Sequence, residues 1–82
     1  MSYVKDAINI VCDVLAMHDR KAEFDENTLL LGAIPEFDSM AVVGVITAME
    51  EEFGFSVDDD EISADVFASV GSLAAFIEDK DN

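Results

Sequence analysis

The chain has 82 residues, about half of them hydrophobic (51%), and carries 19 Asp and Glu against 4 Lys and Arg for a formal charge of −15. Such a chain has room for one domain with a thin core, and its apolar content is too high for a disordered acidic tail. The charge excludes a nucleic-acid binder, because the 58 residues between Lys21 and Lys80 hold 15 acidic side chains and no Lys or Arg that could replace phosphate counterions. A basic protein surface or a divalent cation is the natural complement.

Tyr3 to His18 is predicted to form a first helix, since Val4, Ile8, Val11, Cys12 and Leu15 fall within about 60° of one line on a helical wheel. Cys12 is the sole cysteine and cannot close an intramolecular disulfide, which suits a reducing cytoplasm. Asp6 and Asp13 interrupt the N-terminal segment, so no signal peptide is expected. Residues 19–38 form a long loop, with Leu29, Leu30, Leu31, Ile34 and Phe37 available to pin it and Gly32 and Pro35 to turn it.

A second helix is expected over Ser39–Phe53, with Asp38 as its N-cap and Gly54 ending it in a left-handed turn. Phe55 is expected to fold back on Met49. Val42, Val45, Ile46, Met49 and Phe53 make the core stripe, while Met40, Val43, Thr47 and Glu51 project from the other side. The apolar window Met40–Met49 is about half the ~20 residues that a membrane span needs. After the acidic run Asp58–Glu61, residues 61–67 are read as a short third helix, and Ser69 caps a last helix over 70–79 with Val70, Leu73, Phe76 and Ile77 inward. The predicted fold is an all-α, small four-helix bundle spanning 1–82, with three longer helices, one short one, and a long loop between the first two.

Three chemistries are weighed and set aside. A Cys12–His18 nucleophile pair fails on geometry, since six helical residues leave the side chains about 120° apart and ~9 Å offset along the axis. His18 is read instead as a helix-end cation, and a Ser39–His18 hydrolase lacks a Gly-rich oxyanion turn. The Asp58–Glu61 run resembles a calcium loop in charge alone, because Ser63 stands where the sharp-turn Gly belongs.

Asp38-Ser39-Met40 stands out at the start of the second helix. Together with Leu31-Gly32 before it, Met49-Glu50-Glu51-Glu52-Phe53 closing the helix, and Phe67-Ala68-Ser69-Val70-Gly71-Ser72-Leu73 entering the last one, it resembles the acyl carrier protein family over nearly the whole chain. The resemblance implies a non-catalytic carrier whose Ser39 bears a 4′-phosphopantetheine arm, attached by a phosphopantetheinyl transferase using coenzyme A and Mg²⁺. It implies docking on basic patches of acyl-loading and acyl-transferring enzymes through Asp38, Met40, Val43, Thr47, Glu50 and Glu51. An acyl pocket would lie near Val45, Ile46 and Phe76. No metal, nucleic-acid or membrane role is implied, and a cytoplasmic monomer is expected.

The chain also departs from the family's pattern. Ala41 and Gly44 stand where members serving general fatty-acid synthesis carry acids, and Ile34-Pro35-Glu36-Phe37 sits where the common form runs directly from Leu-Gly to Asp-Ser. These departures predict a specialised carrier with a docking helix stripped of charge at its front, which Ala41→Glu and Gly44→Glu would restore, and the run Pro35-Glu36-Phe37-Asp38-Ser39-Met40 resembles dedicated carriers of lipid- or polysaccharide-modifying pathways. The rival reading is an acidic helical adaptor that binds basic proteins without a prosthetic group.

Overall fold

The structure, a computed structural model, describes residues 3–35 and 37–81. It contains helices α1 (Tyr3–Leu15), α2 (Ser39–Phe53) and α3 (Val70–Asp81), with short 3-10 turns at His18–Glu23 and Asp59–Glu61. Helix α1 is the element against which both other helices pack. It therefore buries a wider arc than a single stripe: Ala7, Ile10, Val11 and Cys12 are buried, whereas Val4, Ile8 and Leu15 are half-buried.

Helix α1 stops at Leu15 and does not reach His18, because Ala16 adopts a left-handed conformation with φ 58°. The Met17 N–H then donates to the Cys12 carbonyl at 2.8 Å, closing the helix end in the manner usually built on glycine. Met17 is buried by this turn, and the chain doubles back as the 3-10 segment.

The long loop is tied down by its backbone as well as by side chains. Leu30 and Phe37 are buried, but Leu29 and Leu31 are 60% and 40% exposed and do not pin it. Instead, residues 26–31 run antiparallel to 67–71. Leu30 and Leu31 N–H donate to the Ala68 and Phe67 carbonyls (both 3.0 Å), and Val70 and Gly71 N–H donate to those of Thr28 and Glu26 (2.9 and 2.8 Å). The last contact brings two backbones so close that a Cβ on Gly71 would lie 2.8 Å from the Glu26 carbonyl oxygen.

The expected short helix at 61–67 is absent; the chain makes the 3-10 turn Asp59–Glu61 and a separate turn over 64–67. Two tertiary demands exclude a helix there. The Glu61 carboxylate accepts the Asp58 N–H at 2.9 Å and the Lys80 ammonium at 2.8 and 3.0 Å, fixing the turn to α3. Phe67 must enter the core beside Phe37, ring centroids 6.1 Å apart, and its carbonyl must pair with Leu31. Beyond it, Ser69 caps α3: its Oγ accepts the Ser72 N–H at 3.1 Å, while the Ser69 N–H donates to Ser72 Oγ at 3.0 Å. Helix α3 buries Val70, Leu73, Ala74 and Ile77, leaving Phe76 half-buried. The result is a three-helix, all-α bundle among the described residues, with the long loop closing one side.

Candidate functional site

Helix α2 begins just past a buried anchor of the loop. Phe37 is buried against Phe67, and its N–H donates to the Ile34 carbonyl at 2.9 Å. One residue later Asp38 is extended (φ −111°, ψ −169°), and its Oδ1 accepts the Ala41 N–H at 3.0 Å. Its short carboxylate thereby satisfies one of the amides that a helix start leaves without an intrahelical partner.

Ser39 is the first residue of α2, exposed, with no hydrogen bond from its hydroxyl to any described residue. It sits at the positive end of the helix dipole, and no acidic side chain lies within the first turn itself. A free hydroxyl at a fixed backbone position beside partly unpaired amides is suited to bearing a phosphodiester. The residues present thus fit a covalently attached phosphate-linked arm, with the adjacent Asp38 carboxylate opposing it.

Outward from Ser39, Met40 (80% exposed), Val43 (61%), Thr47 and Glu51 share the solvent face of α2. Their spacing of three to four residues places them along one ridge. Glu50 departs from that face. It is half-buried, and its Oε2 accepts the Val57 N–H at 2.8 Å, so its carboxylate pins the chain leaving α2. Gly54 ends the helix with φ 76°, and Phe55 packs against the core that contains Met49 while stacking on Phe53 at 5.9 Å and 3°.

Ala41 and Gly44 do not form the front of this face. Ala41 is 6% exposed, and a Cβ on Gly44 would meet Val14 Cγ1 of α1 at 3.0 Å. Both positions look inward. Glutamates there would direct charge into the packing between helices, so Ala41→Glu and Gly44→Glu cannot serve to restore a docking surface.

Val45 and Ile46 are closed core at 0% and 9% exposure, and Phe76 of α3 is half-buried against the same core. Two open clefts lie elsewhere: one is lined by Tyr3, Val4, Glu26, Gly71, Ala74, Ala75 and Glu78, the other by α1 and the 3-10 segment with Phe24. Cys12 is fully buried, and that burial pushes its thiol up, away from thiolate reactivity. The side chain of His18, the other half of the rejected nucleophile pair, lies outside the described residues, as does that of Asp59 in the acidic run. Glu61 of that run is committed to Lys80, whose hydrogen bond holds its carboxyl below the usual range. Among the described residues no group of three or more His, Cys, Asp or Glu is arranged to hold a metal ion.

A family model described as a phosphopantetheine attachment site matches residues 6–77. The chain is also similar to a holo acyl carrier protein from Nitrosomonas europaea, solved by solution NMR: the two are 56% identical over 98% of this chain and 96% of that one, with a TM-score of 0.88. Comparison with curated proteins gives no significant match.

Proposed function

Since this chain belongs to the acyl carrier protein family and carries a covalent 4′-phosphopantetheine, we propose that Ser39 is the attachment residue. The observation that carries this reading is the exposed hydroxyl at the first position of a helix fixed by Asp38 and Phe37. In the transfer, Ser39 Oγ attacks the phosphorus of coenzyme A that bears the pantetheine. The bond to 3′,5′-ADP breaks, and the serine proton passes to a base on the transferase. Carriers of this family are not catalysts themselves; the transferase and acyl-handling enzymes are their partners. When bound, the arm supplies a thiol that holds an acyl group as a thioester.

Met40 and Val43 are the apolar contacts of the docking ridge, with Asp38, Thr47 and Glu51 beside them and Glu50 setting the path of the chain beyond. Basic patches on partner enzymes complement the charge of −15. The acyl chain enters between α2 and its neighbours at Val45, Ile46 and Phe76, a packed region that must part to admit it. The protein works as a cytoplasmic monomer; no helix among the described residues is long and apolar enough to cross a membrane.

The pathway is a specialised one that modifies lipids or polysaccharides. Supporting this, Phe37 of the extra segment before Asp38 is built into the core, and the inward positions Ala41 and Gly44 hold small residues where general carriers have acids. A general ketoacyl synthase is expected to turn over the acyl form more slowly than a housekeeping carrier, and equal rates would sink this part of the reading.

Attachment is tested by intact mass before and after incubation with coenzyme A, Mg²⁺ and a broad-specificity phosphopantetheinyl transferase. The expected gain is one phosphopantetheine, absent in Ser39→Ala. A gain retained in that variant would place the arm elsewhere, and no gain in a folded, initially unmodified sample would favour the acidic adaptor.

A further inference from the structure

The cations of this acidic protein are unevenly used. Lys80 is bonded to Glu61, and Arg20 lies 3.7 Å from Glu23, but Lys5 and Lys21 have no ion-pair partner among the described residues. Both line one cleft of about 330 Å³ between α1 and the 3-10 segment. Lys5, Ile8 and Asn9 come from one face of α1, and Lys21, Ala22 and Phe24 from the chain that doubles back over it. Ile8 and Phe24 are half-buried and rest on the main core, so the cleft has an apolar floor. No residue of α2 lines it.

We infer that this cleft binds a medium-chain fatty acid as its carboxylate, the head between Lys5 and Lys21 and the alkyl chain along Ile8, Ala22 and Phe24. The charge argument is local complementarity: an anion is favoured where two cations without an ion-pair partner line one cleft. The polarity argument selects the rest of the ligand. Asn9 is the one neutral polar side chain in the lining. A peptide laid there would leave backbone groups without partners, whereas an alkyl carboxylate has its polarity confined to one end. The lysine stems extend the apolar wall while their ammonium groups reach the head. The site does not depend on the carrier reading, and because it excludes α2, a bound carboxylate leaves the Ser39 face free.

The test is a titration of the intact 82-residue chain with sodium decanoate below its micellar concentration, followed by backbone amide shifts, with decanol and decyltrimethylammonium as controls. Saturable shifts at Ile8, Asn9, Lys21, Ala22 and Phe24 with decanoate, absent with the cationic amphiphile and weaker with decanol, are expected. Lys5→Gln and Lys21→Gln should each weaken binding by about twofold to fivefold, the size of an exposed charge pair, with Lys21→Arg restoring it. Helical circular dichroism checks that these surface variants remain folded. Shifts centred on Val45, Ile46 and Phe76, equal response to all three amphiphiles, or affinity unchanged in the double Gln variant would each overturn the proposal.

Discussion

At Gly71 a missing side chain decides how the loop and the last helix meet. A methyl group there would stand 2.8 Å from the Glu26 carbonyl oxygen, and both partners are backbone, so neither can rotate away. Gly71→Ala is therefore expected to destabilise the fold by about 1–3 kcal/mol, read as a lower urea midpoint at unchanged slope. Gly44 differs, because its neighbour is the end of the Val14 side chain, which can shift. Neither contact is written in the sequence beyond the glycine itself. Ala16 gave less warning still: the left-handed position that ends α1 holds an alanine where glycine or asparagine would have announced the stop. Ser39 and Asp38, by contrast, were legible as a helix start because capping depends on a short acceptor three residues ahead of the amide it binds.

At the scale of the element, α2 was readable at both ends, since Asp38 and Gly54 act on their own backbone. The 59–67 region was not, because its conformation is set from a distance, by Lys80 of α3 and by the seat of Phe67 beside Phe37. The same distinction explains Glu50, whose acceptor role toward Val57 depends on where the chain goes after Gly54. Val45 and Ile46 were legible as part of the core stripe of α2, whereas how tightly that stripe is closed depends on the neighbouring elements. Capping by Asp38 and its proposed role in partner recognition can be separated. Asp38→Ala should cost α2 about 1 kcal/mol of stability in thermal or urea unfolding. Asp38→Asn should keep nearly all of it, because Asn caps as well as Asp. A fall in phosphopantetheinylation rate for Asn at native stability would then report recognition of the charge, and a normal rate would confine Asp38 to capping.

Over the whole molecule, the charge of −15 is spread on a body of 28 × 28 × 20 Å, comparable with a few screening lengths at physiological salt. Self-repulsion of this size opposes compaction. Raising salt from about 10 to 150 mM, or adding Mg²⁺, should increase the melting temperature, and an unchanged melting curve would show that the charges are already balanced locally. Charge and overall helicity were both legible at this scale. The antiparallel seam between residues 26–31 and 67–71 was not, because it joins segments about 40 residues apart through backbone atoms that every sequence shares.

The Tyr3 hydroxyl donates to the Asp81 carboxylate at 2.8 Å, and the Tyr3 ring lies 6.0 Å from that of Phe53 at the end of α2. The first and last described helices thus begin and end at one point. Ser39 is the whole length of α2 away, about 21 Å at 1.5 Å per residue. A host polypeptide could therefore enter and leave this bundle through a single doorway, with exposed Ser39 on the far side. Insertion of the chain into a surface loop of a larger protein should leave Ser39 as accessible to a transferase as it is in the free bundle.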